Sequence, residues 1–174
     1  MRLNAMSLIA VAASLTCGAA SAQQSGFYGG ATLSRLDVKP SGSPTYTPSS
    51  LNLVVGNQID KYFAAEARLG LGLSGDSNSG TEVKVKDYVG GYMKVFAPLS
   101  YSASLYGMLG YTSGKVEVTT AGGTARHNDN DVSYGVGGSF AINRLSFVTV
   151  ELARLFGGND YKVNALSGGI YMRF

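Results

Sequence analysis

The chain has 174 residues, with 14 Lys and Arg against 11 Asp and Glu, a net charge of +3, and only 14% charged residues. That length suits one ordinary domain, and so weak and scattered a charge excludes nucleic acid as a partner. Hydrophobic residues make up 45%. Past the N-terminus, however, no apolar run approaches the ~20 residues of a membrane helix, so any crossing of a membrane must be made by strands.

The N-terminus reads as an export signal. Arg2 supplies a positive charge, Met6 to Leu15 is an apolar Ala-rich stretch, and Ala20-Ser21-Ala22 is a small-x-small cleavage site. Cleavage is expected after Ala22, leaving Gln23 as the first mature residue and dividing the chain into a signal, 1–22, and a domain, 23–174. The single cysteine, Cys17, lies inside the signal, and Ser14 and Thr16 before it fit a lipid-attachment site poorly. The mature domain is therefore expected to hold no thiol, disulfide or Cys-based metal site.

Beyond Gln23 the pattern is period two, the mark of strands with unlike faces. The first segment, Gly26 to Leu36, sets Phe27, Gly29, Ala31 and Leu33 against Tyr28, Gly30, Thr32 and Ser34. Asp37 to Ser49 contains Pro40, Pro44 and Pro48 and reads as a loop. Leu51 to Gln58 is the second segment and Ile59-Asp60-Lys61 a short turn. The third, Tyr62 to Leu73, is the clearest: Phe63, Ala65, Ala67, Leu69, Leu71 and Leu73 oppose Ala64, Glu66, Arg68, Gly70 and Gly72. Ser74 to Thr81 reads as a polar loop. In the fourth, Glu82 to Phe96, Val83, Val85, Val89, Met93 and Val95 are expected outward and Lys84, Lys86, Tyr88, Tyr92 and Lys94 inward, with Asp87 breaking the apolar face near the membrane surface. Ala97 to Ser102 is a turn, Ala103 to Glu117 the fifth segment and Thr119 to Asn130 a polar loop. Val132 to Ile142, Leu145 to Phe156 and Tyr161 to Phe174 complete the set, joined by Asn143-Arg144 and by the loop Gly157 to Asp160.

About eight strands, with long polar connections alternating with short turns, imply an all-β, antiparallel, up-and-down transmembrane barrel with short periplasmic turns and longer extracellular loops. A soluble barrel such as a lipocalin would pack its large apolar residues inside. Here the polar face carries Glu66, Arg68, Lys94 and Glu151. In an apolar core those charges would be costly, whereas in a polar lumen they can pair. An ion-pair plug filling a narrow interior is the expected arrangement, with a narrow pore as the alternative. Tyr62, Phe63, Phe96, Phe140, Phe147, Phe156, Tyr161 and Phe174 fall near strand ends and suit aromatic girdles.

Gly26-Phe27-Tyr28-Gly29-Gly30-Ala31, then Gly56-Asn57-Gln58-Ile59 leading into Phe63-Ala64-Ala65-Glu66-Ala67-Arg68, and the final Phe174 together resemble the small eight-stranded outer-membrane β-barrel proteins of Gram-negative bacteria, the OmpA/OmpX-like and opacity-type group. The resemblance covers the whole mature chain. It implies that Ser167, Gly169, Met172 and Phe174 form the C-terminal signal read by the barrel-assembly machinery. It also implies a place in the outer membrane among lipid and lipopolysaccharide. The expected role is non-enzymatic: structural, or surface interaction and adhesion, with a host or surface ligand engaged by the extracellular loops. A narrow pore or transporter is the alternative, and lipid A modification is disfavoured.

No catalytic residue, cofactor or metal is expected. The one histidine, His127, lies in the Thr119–Asn130 stretch near Asp129, Asp131 and Ser133. A relay would need it held between acid and nucleophile at hydrogen-bond distance, and a loop holds it poorly. Asn128 to Asp131 lacks the Gly and distal Glu of a calcium loop. The pairs Gly29-Gly30, Gly90-Gly91, Gly137-Gly138 and Gly168-Gly169 lie within strands, with no helix behind them to bind phosphate.

Overall fold

The computed structural model describes residues 26–40, 45–78, 81–120, 123–157 and 161–174. Nine strands follow in chain order: β1 (Phe27–Pro40), β2 (Ser49–Gln58), β3 (Phe63–Ser74), the three-residue β4 (Asp76–Asn78), β5 (Thr81–Pro98), β6 (Ala103–Thr120), β7 (Gly123–Ala141), β8 (Ser146–Gly157) and β9 (Tyr161–Arg173). Each long strand pairs antiparallel with its sequence neighbour, β3 pairs directly with β5, and β1 pairs with β9. The sheet thus closes on itself with eight long staves, β4 being a short extension beside β5. The seam between β1 and β9 runs from Tyr28↔Arg173 to Pro40↔Tyr161.

One end is built from three four-residue turns of the same design. In each, the first turn residue donates its N–H to the carbonyl that opens the next strand: Ile59 to Phe63, Leu99 to Ala103 and Ile142 to Ser146. A short polar side chain then caps the turn. Asp60 Oδ1 accepts from the Phe63 amide at 2.7 Å, Ser100 Oγ from Ala103 at 3.0 Å and Asn143 Oδ1 from Ser146 at 2.7 Å. These are the local bonds that make Asp, Asn and Ser turn residues.

At the other end the strands outrun the expected boundaries. β1 continues through Pro40, and 119–120 and 123–130, expected as loop, are strand, with β6 and β7 paired from Ala103↔Phe140 to Thr120↔Gly123. Residues 76–78, also expected as loop, pair with β5. Even the proline-rich connection is tied to the wall, since Val38 and Tyr46 exchange backbone hydrogen bonds and Leu36 donates to Pro48. Gly123 takes a φ of +131°, a conformation that favours glycine.

The facing of residues changes at this end as well. Val83 and Val85, expected outward, are 2% and 0% exposed, while Lys86, expected inward, is exposed. The cause is a bulge: Val85 pairs with Val116 and Tyr88 with Gly114, so Lys86 and Asp87 together oppose one residue. An extra residue reverses the facing of everything beyond it. Similar register shifts occur between Arg154 and Phe156 in β8 and at Ser49/Ser50 in β2. Leu33, Leu53, Leu69, Met93, Leu109, Val136, Leu152 and Ile170 form an exposed apolar belt below the bulges. Above them the outside is polar, with Lys39, Lys86, Lys115 and Lys162 exposed, and the inside is apolar, with Leu36, Val38, Val85, Phe156 and Val163 buried. The expected girdle changes accordingly. Tyr62, Phe63, Phe140 and Phe174 are exposed at the turn end, but Phe147 and Phe156 are buried in the lumen.

The high glycine and tyrosine content has a structural cause. Five lumen tyrosines lie directly opposite a glycine on the next strand: Tyr28↔Gly56, Tyr88↔Gly70, Tyr92↔Gly110, Tyr106↔Gly137 and Tyr171↔Gly30. Each ring lies over the glycine, so a Cβ on Gly137 would come within 2.4 Å of the Tyr106 ring. Gly138 faces the other way, its nearest neighbour being Leu105 at 4.0 Å. Overpacking a filled interior costs roughly 1–3 kcal/mol or more. Gly137→Val is therefore expected to lower the urea midpoint of the barrel folded in lipid, measured by heat-modifiable gel mobility, while Gly138→Val leaves it close to wild type. Equal effects at the two positions would refute the ring-over-glycine account.

Candidate functional site

The alternation of β3 aims Glu66 and Arg68 into the lumen, and β5 and β8 aim Lys94 and Glu151 at the same level, all four 5% exposed or less. The structure brings them together. Arg68 Nη1 donates to Glu151 Oε1 at 2.5 Å and Nη2 to Glu151 Oε2 at 2.8 Å. The same guanidinium reaches Glu66 Oε2 through Nε at 3.0 Å and Nη2 at 2.8 Å. Lys94 Nζ lies 2.7 Å from Glu66 Oε1 and 3.7 Å from Glu151 Oε2. Two tyrosines complete the set: Tyr28 donates to Glu66 Oε1 at 2.7 Å and Tyr106 to Glu151 Oε2 at 2.9 Å. Arg68 also stacks over Tyr92 and Lys94 over Tyr106, 4.7 and 4.1 Å from the ring centroids. Two negative and two positive charges thus cancel in one closed network, the condition under which buried charge is tolerated.

This quartet is one layer of a filled interior. Toward the turns lies an aromatic layer, in which Phe147 and Tyr171 stack at 5.0 Å and Tyr28 meets both edge-on. A cavity of about 20 Å³ remains between it and the quartet, lined by Glu66, Lys94, Phe96 and Tyr106 among others, roughly the room one water needs. Toward the loops, Asn52 donates to Thr32 at 2.8 Å and to Ser34 at 2.7 Å and accepts from Tyr88, and Ser34 and Ser167 share a hydrogen at 2.7 Å. Beyond that lies an apolar cluster that includes Leu36, Val85, Val116, Phe156 and Val163.

The remaining sequence candidates fall elsewhere. Ser167 and Gly169 face the lumen against Ser34 and Thr32, while Met172 and Phe174 face outward, 58% and 72% exposed. The Phe174 ring stands 3.4 Å from the Cβ position of Gly29 across the seam. Ala20, Ala22 and Gln23 lie outside the described residues, as does Cys17. His127 is not in a loop, for its backbone is in β7 opposite Val116. The groups suggested as its partners are engaged elsewhere: Asp129 accepts from Tyr161, Asp131 stands 3.8 Å from Arg154, and Ser133 donates to the Leu155 carbonyl.

Those last contacts mark a feature the alternation did not signal. β7 pairs with β6 along its whole length but with β8 only from Tyr134↔Arg154 to Ala141↔Phe147. Among the described residues, the contacts between the two strands above Tyr134 are made through the side chains of Ser133, Asp131 and Arg154, and the outer edge of β7 has no strand beside it. Near the tip, Lys86 at 3.1 Å and Arg126 at 3.5 Å surround Glu117. The Lys86 contact above all holds its carboxyl below the ordinary value. Burial, with the bond to Asp129, pushes the Tyr161 hydroxyl up.

A closed antiparallel wall with an apolar belt outside and a charged, hydrogen-bonded lumen defines a transmembrane up-and-down β-barrel. Residues 7–174 match the model of the outer membrane protein beta-barrel domain, and the chain belongs to that family. The family sets it in the outer membrane, where short turns face the periplasm and long connections the exterior. No curated protein matches at the sequence level. Among solved structures, the fold is similar to Ail, the attachment invasion locus protein of Yersinia pestis, at TM-score 0.67 and 19% identity over 86% of this chain and 99% of that one. It is also similar to Neisserial surface protein A, at TM-score 0.68 and 15% identity over 86% of this chain and 97% of that one. A second structure of Ail, in complex with the heparin analogue sucrose octasulfate, matches at TM-score 0.66 and 17% identity over 87% of this chain and 100% of that one.

Removing one member of a buried charge network leaves its partners uncompensated, at a cost of about 3–5 kcal/mol. Arg68→Met is expected to lower unfolding free energy in lipid by that order, and Arg68→Lys by less, since it keeps the charge without the two-pronged geometry. An unchanged urea midpoint for Arg68→Met would rule out a stabilising quartet.

Proposed function

We propose that this protein is a non-enzymatic surface-interaction barrel. The lumen layers hold the wall open and block passage, and the raised β6–β7 hairpin engages a surface ligand. The observation that carries this reading is the hairpin. A tilted strand crosses the membrane in about 9–11 residues, so β6 and β7, with 18 and 19 residues, leave roughly eight each outside. There β7 offers a backbone edge that β8 does not cover. An open edge can take an extended segment of another chain as an added strand. Two proteins of the same fold, an attachment invasion locus protein and a Neisserial surface protein, lend support from their names. Under this reading residues 1–22 are removed on export, and Ser167, Gly169, Met172 and Phe174 are read by the barrel-assembly machinery.

Two measurements test it. Purified folded protein in planar bilayers should give no reproducible conductance. A conductance that grows in Glu66→Ala would overturn the plug and favour a narrow pore. Separately, deleting residues 116–127 and joining Lys115 to Asn128 through an Asn-Gly turn should leave a heat-modifiable barrel in the outer membrane. The same deletion should abolish adhesion of expressing cells to cultured cells or extracellular matrix. Adhesion equal to that of the full-length protein would remove the hairpin from the function.

A further inference from the structure

We infer, on the reading of the hairpin given above, that the open edge of β7 selects an extended segment of a partner protein carrying Lys or Arg on its inward side, where Asp129 and Asp131 receive the cation. Residues 124–131 pair with β6, and no strand lies on their other side among the described residues. Register places two carboxylates on the inner face of that stretch. Asp129 stands opposite Gly114, whose Cβ position lies 2.6 Å from the Phe156 ring, and Asp131 stands opposite Thr112, which is buried. Neither carboxylate is closely answered by a cation. Asp129 accepts from the Tyr161 hydroxyl, a neutral donor, and has no ion pair among the described residues. Asp131 has Arg154 at 3.8 Å, beyond hydrogen-bond reach. A Lys or Arg on an added strand replaces these contacts with charge-assisted ones.

Strand geometry turns this into a pattern. Asp129 and Asp131 are two apart, so the residues across from them on an added strand share one face. Opposite charges directly across paired strands attract and like charges repel, so Lys or Arg is favoured at those two positions and Asp or Glu is rejected. The outer face makes no such demand. Asn128 and Asn130 are neutral and exposed, and Arg126 is already 3.5 Å from Glu117. Below Asp131 the way is closed, since Ser133 donates to the Leu155 carbonyl and Tyr134 pairs with Arg154. Backbone bonds alone would accept any extended chain, and the two carboxylates make the edge selective. The chain as a whole carries a net charge of +3. General attraction therefore favours an acidic segment, and a preference for a basic one reports this edge.

The test folds the full barrel into phosphatidylcholine nanodiscs and follows the anisotropy of fluorescent peptides. One is Thr-Lys-Thr-Lys-Thr-Val-Thr, the second has Glu for both Lys, and the third is the Lys peptide methylated at every backbone amide, which removes its strand-pairing donors. The Lys peptide should bind about fivefold or more tightly than the Glu peptide, and the methylated peptide should not bind. Asp129→Asn with Asp131→Asn, which keeps acceptors for Tyr161 and the backbone, should remove most of the preference. Asp87→Asn, on the outer wall of β5, should keep it. Heat-modifiable mobility shows that each variant is folded. Equal binding of the Lys and Glu peptides, with the methylated one inactive, would overturn the charge preference and leave the open edge standing. A preference that survives methylation or the double exchange, or that falls equally in Asp87→Asn, would also overturn the inference. Binding of neither peptide would overturn it together with the hairpin reading.

Discussion

Everything in this molecule follows from the requirement that no backbone polar group be left unanswered in hydrocarbon. Each unpaired N–H or C=O there costs several kcal/mol, so the sheet has no edge it can expose at the depth of the belt. β1 must therefore meet β9, and it does so over thirteen consecutive pairs. Closing only eight staves makes the interior narrow, and a narrow interior must be packed with side chains. Glycine opposite tyrosine answers that demand: a residue without a side chain makes room for a ring from the neighbouring strand. The tyrosine hydroxyls then reach the carboxylates at the centre, so the packing and the charge network support the same geometry.

That dependence explains why the four charged groups meet one another at one level of the lumen. Arg68 uses its planar fork on two carboxylates at once, and Lys94 adds a point charge between them. With Tyr28 and Tyr106 donating, the carboxylate oxygens are engaged.

The strands within the lipid belt were legible because two solvents lie on their two faces, lipid outside and a polar lumen inside, and period-two alternation records that difference directly. Glu66, Arg68, Lys94 and Glu151 could be assigned to one face for the same reason. What alternation could not supply was the reach of Glu151 to Arg68, 83 positions apart in the chain, or the matching of each tyrosine with a glycine, since both depend on strand register. The largest departures lie above the belt. The run Thr119 to Asn130 is polar because water replaces lipid there, and it reads as loop although 119–120 and 123–130 are paired strand. The bulge at Lys86 and Asp87 was equally hidden, for a single extra residue leaves no compositional trace while reversing the facing of Val83 and Val85.

The bulges sit where the chain changes solvent, and that position has a physical reason. Below them the apolar face must look outward to lipid; above them the same choice would expose valines to water and bury lysines. Continuing a strand past the interface therefore requires either that the pattern of the sequence change or that the register slip by one. β6 does the first, carrying Tyr111 outward and then burying Val116 behind an exposed Lys115. β5 does the second. Once the wall stands in water, backbone groups can be satisfied by solvent, and full closure is no longer obligatory. Hence β7 can part from β8 above Tyr134 without the penalty it would suffer lower down. The open edge of β7 thus lies where the wall has left the hydrocarbon.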